Sequence, residues 1–361
     1  MYDVIVIGAG PSGSTAAATL AKRGLRVLLA ERFALPRCKS CSGILIKKSL
    51  DLVRLYFGEG VPSDTTCAPA ENRGMVFTGD SGKAVRFEQR GLNIWRAAFD
   101  HWLAIKAAQC GAEVRDATSV CACVPRADCI AVTLRGKMGI YTELARYIID
   151  CEGVTGAVKR KLLRRSSPLI TTFQTFYRGT IDLDPHYFYA YLQPELSEYD
   201  AWFNVKDDLL VLGVSAKDPG RLGTYYERFI AHMQERFGLR AERKLRSERW
   251  LMPWIRPGCA IDYNFGRVFF AGEIAGFLNP MGEGISAGLQ SGFCAASAVA
   301  EYFDDEKLAA EDYRASTAKL HSYMARQWSF VAGMAAAFGE MALRPPMAVE
   351  KDGNYSILNK L

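Results

Sequence analysis

Three glycines near the N-terminus carry the clearest chemical signal in the sequence. Gly8, Gly10 and Gly13 have the spacing G-x-G-x-x-G and directly follow the apolar run Tyr2–Ile7. The first glycine permits a tight turn, the second lets the backbone approach a pyrophosphate, and the third lets a helix pack close to a strand. The free N–H groups and positive dipole end of that helix favour a diphosphate. This spacing predicts a dinucleotide-binding site.

The residues after the glycines support the same interpretation. A predicted helix opens with Pro11 and Ser12, and a second apolar strand over residues 25–30 ends at Glu31 and Arg32. A carboxylate at the end of the second strand can accept both hydroxyl protons of an adenosine ribose. Strand, glycines, helix, strand and acid occur in order, which is typical of a Rossmann-type domain. A second G-x-G-x-x-G after a strand does not occur, so one tightly held cofactor is expected to do the redox work.

A second stretch far along the chain has related chemistry. In residues 267–288 (RVFFAGEIAGFLNPMGEGISAG), a predicted strand ends at Gly272 and Glu273, and a glycine-rich turn then opens a helix. Such a helix start can present N–H groups to the pyrimidine edge of a flavin, where the reduced ring carries negative charge. Glu273 is positioned to bond a ribityl hydroxyl. The stretch predicts FAD as the cofactor.

Together, these two blocks resemble the geranylgeranyl reductase family of FAD-dependent oxidoreductases, within the class typified by p-hydroxybenzoate hydroxylase. The family's G-D-A-A-G fingerprint corresponds to residues 272–276, and its P-L-T-G-E-G-I turn to residues 280–285, one residue shorter. The resemblance covers roughly residues 1–300. By position, it implies further cofactor contacts at Cys41, Ser42, Gly43, Arg96, Val120, Gly282, Gly284 and Ile285.

Two positions depart from the family pattern. Glu152 and Glu273 stand where the family has aspartate. Glutamate keeps the charge and adds a methylene, so FAD binding is expected to survive. The departure at Glu152, within the family's A-D-G segment, puts a role of that segment in NADPH docking in doubt. The expected electron donor is therefore left open between NAD(P)H, ferredoxin and a redox partner protein.

Cys41 is the candidate catalytic residue. The resemblance implies a thiol beside the flavin ring, where it would tune the flavin or place a proton donor near the substrate. The alternative is a packing cysteine on the cofactor loop, and a disulfide between Cys41 and Cys38 is also open. No other Cys or His pair has zinc spacing, so no metal site is expected.

A third segment is expected to contact the substrate. Tyr199, Trp202 and Phe203 resemble the family's Y-x-W-x-F-P motif, although the spacing differs and the proline is absent. In the family this strand lines a hydrophobic cavity. The alternative is ordinary aromatic packing within an antiparallel sheet.

The predicted helices and strands that position these residues indicate the α/β fold class, with an α+β arrangement overall. A discontinuous FAD-binding domain is expected over residues 1–165 and 255–305. From about residue 171, alternating apolar and polar residues separated by turns predict an inserted antiparallel-sheet substrate domain over residues 166–254. A helical C-terminal region is expected over residues 306–361. Residues 309–343 are predicted to be mostly helical.

The composition limits the functional classes and cellular locations that remain open. The 361 residues are 49% hydrophobic and carry a mild net charge of +6 without a nucleic-acid-binding pattern. The apolar N-terminal run is too short for a signal peptide, and no run is long enough for a membrane span. Ten cysteines without an export signal suggest a reducing, cytoplasmic location. Peripheral membrane contact is left open.

The resemblance implies a FAD-dependent reductase or dehydrogenase that acts on a hydrophobic or lipid substrate. Reduced flavin would deliver hydride to a carbon–carbon double bond, and a nearby acid would supply the proton. Two alternatives share the scaffold: a monooxygenase of an aromatic or polyketide-like substrate, and an electron-transfer flavoprotein without small-molecule turnover. The tryptophan-rich motif and lysine of flavin-dependent halogenases are not recognisable.

Overall fold

A computed structural model describes residues 1–79, 82–164, 167–280 and 282–330. The strands in these ranges are β1 Tyr2–Ile7, β2 Val27–Ala30, β3 Ile44–Ile46, β4 Thr66–Thr78, β5 Ala84–Ile94, β6 Glu113–Arg115, β7 Ser119–Pro125, β8 Ile130–Gly136, β9 Gly139–Asp150, β10 Leu169–Thr180, β11 Tyr187–Tyr191, β12 Ala201–Lys206, β13 Leu209–Ala216, β14 Arg240–Pro253, β15 Asn264–Phe265 and β16 Val268–Phe270. The helices are α1 Pro11–Lys22, α2 Lys47–Phe57, α3 Arg96–Gln109, α4 Ala157–Leu163, α5 Leu222–Phe237, α6 Ile285–Glu301, α7 Glu306–Ser316 and α8 Ala318–Phe330.

The first sheet is a largely parallel, Rossmann-type sheet. Its order is β15-β16-β9-β1-β2-β6, and the β7–β8 hairpin extends it from β9. Strand β1 pairs in parallel with both β2 and β9 and is almost entirely buried. Because the carboxyl ends of parallel strands meet at one edge, the turns after β1, β2 and β9 come together there. The predicted α/β fold class is confirmed.

The second sheet has the order β14-β10-β13-β12-β11-β4-β5-β3. Its pairings are antiparallel except for β11 with β4. One face packs against helix α5, with Phe203, Leu212 and Phe229 in that core. The other face is turned toward the carboxyl edge of the first sheet. The second sheet therefore has a hydrophobic core on one face and a cleft on the other.

The segment over residues 44–94 contributes three strands to the second sheet. The sequence assigned it to the nucleotide-binding domain, within residues 1–165. In the structure, its strands β3, β4 and β5 belong to the second sheet, where β4 pairs with β11 through Met75↔Phe188 and Phe77↔Ala190. A parallel pairing across more than a hundred residues leaves no local periodicity, so the sequence pattern could not reveal it.

Close packing of two helices brings the N-terminal glycine turn to the second predicted cofactor segment. A Cβ atom added at Gly292 in α6 would lie 2.2 Å from the Ser12 carbonyl oxygen in α1. One added at Gly288 would lie 3.8 Å from the Ser12 Cβ. Small residues on α6 thus set the separation of the two helix starts.

The predicted C-terminal helical region is described only in part. Helices α7 and α8 occupy its first half, and Trp328 donates its indole N–H to the Leu278 carbonyl at 2.9 Å. The described residues end at 330, so the rest of the predicted region 306–361 lies outside them. The same holds for the end of the stretch 309–343 that was predicted to be mostly helical. Within the described ranges, none of the helices has the length and apolarity needed to cross a bilayer.

Candidate cofactor and active site

A cleft lies between the carboxyl edge of the first sheet and the free face of the second. Segments widely separated in the sequence line it together. The sequence-predicted residues that it brings together are Gly8, Gly10, Pro11, Ser12, Glu31, Arg32, Cys41, Ser42, Arg96, Trp202, Gly272, Glu273, Gly282, Gly284 and Ile285.

Two glycines of the turn lie so close to neighbouring backbone that a side chain would not fit at either position. Gly8 has φ +96°, and a Cβ atom there would lie 2.6 Å from the Cys151 carbonyl oxygen. A Cβ atom at Gly13 would lie 1.8 Å from the Gly8 carbonyl oxygen. Gly13 therefore packs α1 against the turn and does not itself line the cleft. Helix α1 begins after Gly10 without a side-chain cap, so its first-turn N–H groups remain available for an anion.

Glu31 ties the end of β2 to this turn. The side chain is 3% exposed, and its carboxylate accepts hydrogen bonds from the backbone N–H groups of Ala9 and Phe33, each at 3.0 Å. Arg37, which the sequence analysis missed, lies with its Nε 3.2 Å from Glu31 Oε2 and its Nη1 3.0 Å from Asp100 Oδ2. The expected ribose-binding carboxylate is thus already fixed in place.

Asp100 joins this network to the predicted flavin contact Arg96. The Arg96 guanidinium donates to both carboxylate oxygens of Asp100 at 2.9 and 2.8 Å, and both side chains are buried. Burial alone would lower the pKa of Arg96, but Asp100 and the neighbouring Cys41 outweigh it and raise that pKa. A bidentate pair fixes a planar guanidinium in orientation. Arg96 is therefore a fixed cation beside Cys41.

The loop of Cys41, Ser42 and Gly43 rests on strand β12. The Asn204 side-chain amide donates to the Ser42 carbonyl at 3.3 Å. A Cβ atom at Gly43 would lie 2.5 Å from Lys206 Nζ, so this buried glycine packs against the strand and does not line the cleft. Cys41 and Ser42 do line it. Strand β12 thus supports the predicted flavin loop from beneath.

The second cofactor segment faces the same space. The Gly272 N–H donates to Ser291 Oγ at 2.9 Å, which anchors the strand end to α6. Glu273 Oε2 lies 3.7 Å from Lys39 Nζ, a lysine that sequence analysis did not single out. Burial lowers the pKa of Lys39, and Glu273 opposes that shift. Gly282, Gly284 and Ile285 line the cleft, whereas Met281 lies outside the described residues.

The segment that departs from the family at Glu152 holds two neighbouring acids, the buried Asp150 and the partly buried Glu152. Burial raises the pKa of both, and the Glu152 carboxylate raises the pKa of Asp150 further. Glu152 lines the cleft, but its Oε2 accepts from the Val158 N–H at 3.0 Å at the start of α4. This glutamate therefore caps a helix within its own segment.

The predicted substrate-contacting residues separate into three different roles. Trp202 lines the cleft. Phe203 is fully buried against α5 on the opposite face, because successive residues of a strand point to opposite sides. Tyr199 is not a lining residue either, and its hydroxyl donates to the Pro280 carbonyl at 2.6 Å. Trp202 therefore faces the cleft and Tyr199 braces the second cofactor segment, and substrate contact by these residues stays a prediction.

Val120 lies on β7 of the first sheet. Its side chain is 7% exposed and packs in the core. The cofactor contact predicted at Val120 involves its backbone, so it stays a prediction.

The wall opposite the cofactor segments contains polar residues that the sequence analysis missed. Asp200 accepts a hydrogen bond from Ser215 Oγ at 2.7 Å, and burial raises the pKa of Asp200 to about 6. The available signal was the alternation of polar side chains along β12, which places Asp200 on the same face as Trp202. The other polar or amphipathic lining residues of this wall are Thr172, Gln174, Ser215 and Trp250.

The cysteine side chains are thiols in the structure. All ten are free, including the exposed Cys38 and the half-buried Cys41. In the described part of the chain, no cluster of three or more His, Cys, Asp or Glu side chains has a geometry suited to a metal ion.

The cleft fits an extended dinucleotide with a flavin ring. Ser12 lies between the two cofactor segments, since a Cβ atom at Gly272 would be 3.0 Å from the Ser12 Cβ. The uncapped start of α1 suits a diphosphate and Glu31 suits a ribose. At the start of α6, the Glu283 carboxylate accepts from the Ser286 N–H at 2.8 Å and so already caps that helix end. One molecule can therefore contact both segments at once.

Comparisons with known proteins agree with this geometry. Residues 1–177 match the FAD binding domain family. Over 161 residues, the chain is 32% identical to digeranylgeranylglycerophospholipid reductase 1 of Methanopyrus kandleri, covering 44% of this chain and 41% of that protein. Over 207 residues it is 30% identical to the digeranylgeranylglycerophospholipid reductase of Methanosarcina acetivorans, covering 55% and 49%. The chain thus spans less than half the length of these curated relatives.

Solved structures extend the agreement in fold to nearly the whole chain. A geranylgeranyl bacteriochlorophyll reductase-like protein from Thermoplasma acidophilum has a TM-score of 0.85 at 20% identity, covering 99% of this chain and 95% of that one. The flavin-dependent halogenase CmlS has a TM-score of 0.71 at 18% identity, covering 99% and 69%. The predicted FAD cofactor and the resemblance to geranylgeranyl reductases are confirmed. The match to the FAD binding domain family covers residues 1–177, the part of the chain that contains both β1 and the glycine turn.

Proposed function

We propose that this flavoprotein is a reductase that hydrogenates carbon–carbon double bonds of a hydrophobic, isoprenoid-type substrate. The observation that carries the proposal is the position of a partly buried acid, Asp200, across one cleft from the cofactor segments. The relatives named as digeranylgeranylglycerophospholipid reductases support the same reaction class.

Bound FAD supplies the hydride, and the chain's own residues supply the rest. A hydrogenation also requires a proton at the second carbon. Asp200 is suited to that role because its pKa of about 6 keeps a substantial protonated fraction near neutral pH. The Ser215 hydroxyl, 2.7 Å away, fixes the orientation of the Asp200 carboxyl.

Apolar side chains continue the same wall and favour a hydrocarbon substrate. Phe188 lines the cleft and packs against a cluster that contains Phe77, Ala190 and Leu192. Leu278 and Met252 line the cleft as well. An apolar cleft of this kind binds hydrocarbon chains by removing them from water.

The electron donor and the membrane contact of this flavoprotein are part of the same proposal. Reducing equivalents are expected from NAD(P)H or from a redox partner protein. A lipid substrate would require the chain to reach a membrane surface, which is the basis for the expected peripheral membrane contact.

Anaerobic mixing of the reduced holoenzyme with a prenyl alkene tests the reaction. The flavin absorbance should return at a rate that depends on alkene concentration, and the product should contain two additional hydrogens. Aerobic turnover that inserts oxygen from labelled O₂ would instead favour the monooxygenase alternative. Reoxidation by quinones or protein acceptors alone would favour the electron-transfer alternative.

Cys41→Ala is expected to retain FAD but to slow reoxidation by the alkene by about tenfold, because the thiol lines the cleft beside Arg96. Stopped-flow absorbance of the flavin measures the rate. Cys38→Ala is the matched control, since this exposed thiol lies on the same loop. An unchanged single-turnover rate in Cys41→Ala would assign that cysteine to packing.

A further inference from the structure

We infer that the cleft contains a polar subsite for an uncharged oxygen group of the substrate, a hydroxyl or a carbonyl, formed by Gln174, Trp202 and Trp250. The inference deepens the proposed function and rests on it: the substrate would be an oxygen-bearing alkene rather than a bare hydrocarbon.

Unpartnered polar atoms on the cleft wall are the first observation. Trp202 is 7% exposed and Gln174 is 1% exposed, and both line the cleft. Among the described residues, Trp202 Nε1 and Trp250 Nε1 have no hydrogen-bond acceptor. Gln174 donates through Nε2 to Glu248 at 2.7 Å, which leaves its Oε1 without a donor. Each buried, unpaired polar atom costs about 1–3 kcal/mol, so a ligand that pairs with them is favoured.

Strand register brings these side chains together. Gln174 on β10 and Trp202 on β12 both pair with Gly213 on the intervening strand β13. A Cβ atom at Gly213 would lie 2.1 Å from the Trp202 ring, so the missing side chain makes room for the indole over β13. Trp250 follows on β14, opposite Thr172 of β10. The donors and the acceptor therefore share one face across four strands.

The chemistry of these atoms selects the ligand. Two indole N–H groups can donate to the oxygen of a hydroxyl or carbonyl, and an amide oxygen can accept a hydroxyl proton. Two cations beside the subsite are already paired. Arg246 Nε lies 3.4 Å from Glu248 Oε1, and Lys39, 4.4 Å over the Trp250 ring, lies 3.7 Å from Glu273 Oε2. The unpaired atoms are two neutral N–H donors and one amide oxygen, so an uncharged group is favoured over an anionic headgroup.

Equilibrium binding to the oxidised holoenzyme tests the inference without turnover. A C15 prenyl alcohol, the hydrocarbon with the same skeleton and the corresponding prenyl phosphate would each be titrated while the flavin absorbance is recorded. We expect the alcohol to bind about fivefold or more tightly than the hydrocarbon, and more tightly than the phosphate. Trp202→Phe, which keeps an aromatic ring but removes the N–H donor, should lose this preference.

Two further variants complete the design. Trp250→Phe tests the second donor independently should Trp202→Phe fail to retain FAD. Trp102→Phe is the matched control, because this tryptophan packs on α3 against Phe57 and Phe99, away from the cleft lining.

Equal affinities for alcohol and hydrocarbon in the wild-type protein would overturn the inference, as would tighter binding of the phosphate. A preference for the alcohol that persists in both tryptophan variants would also overturn it. Loss of the preference in those variants supports the polar subsite. The same alkenes mixed with reduced enzyme test the proposed function separately, because binding selectivity without flavin reoxidation would refute the reductase and leave the subsite standing.

Discussion

Gly13→Ala is expected to yield a protein that no longer retains FAD and unfolds at a lower temperature. The added Cβ atom would lie 1.8 Å from the Gly8 carbonyl oxygen, a backbone atom that cannot rotate away. Helix α1 would have to move from the turn, and the phosphate cradle would open. Overpacking of this kind costs about 1–3 kcal/mol or more. The flavin absorbance of purified protein and its thermal unfolding midpoint measure both effects.

The control for this substitution is Gly223→Ala. Gly223 is also a helical glycine, near the start of α5, but a Cβ atom there has nothing within 4 Å. Alanine should therefore leave FAD bound and stabilise the helix by up to about 1 kcal/mol. If Gly13→Ala remained yellow and as stable as the wild-type protein, the close packing of α1 on the glycine turn would be refuted.

Asp200→Asn is expected to slow flavin reoxidation by the alkene by about 10²-fold or more, within the range that a positioned general acid contributes. Asparagine keeps the size and the hydrogen bond from Ser215 but has no proton to give. The proton donor works in its protonated form, and the pKa of Asp200 is raised to about 6. The wild-type rate should therefore fall as pH rises above about 6, and the variant should lose this dependence. Stopped-flow measurements across pH 5–8 would record both.

Asp208→Asn provides a matched comparison for this prediction. Asp208 is exposed and lies just past the far end of β12, where it pairs with Arg178 at 3.1 Å. It should leave both the rate and the pH profile unchanged. A wild-type pH profile that survives in Asp200→Asn would assign proton transfer to another group, with Cys41 the next candidate.

The cofactor half of the site was largely predictable from sequence because its constraints are local. Gly8, Gly13 and Glu31 act through a short turn and two adjacent strands, so their spacing encodes their positions. The link from Arg37 through Asp100 to Arg96 was not predictable in the same way. Arg96 and Asp100 have the i, i+4 spacing of partners on one helix, but Arg37 lies on a separate loop and reaches Asp100 only after the fold closes.

Which side chains of the second sheet face the cleft depends on strand register, and the sequence pattern left that register open. Aromatic residues at 202 and 203 look equivalent in the sequence, yet one faces the cleft and the other faces α5. A shift of one residue would exchange them. The polar wall of Asp200, Gln174 and Ser215 was missed for a related reason, because its members come from three strands that assemble only in the second sheet.

Strand β12 contributes both to the lining of the cleft and to the support of the Cys41 loop. Asp200, directly before the strand, and Trp202 line the cleft, and Asn204 and Lys206 support the loop of Cys41. Sliding or tilting the strand would disturb the two regions together. If Asp200 is the proton donor, we expect adaptation to longer or bulkier substrates to occur by side-chain exchange at Trp202, with Asp200 and the backbone of β12 retained.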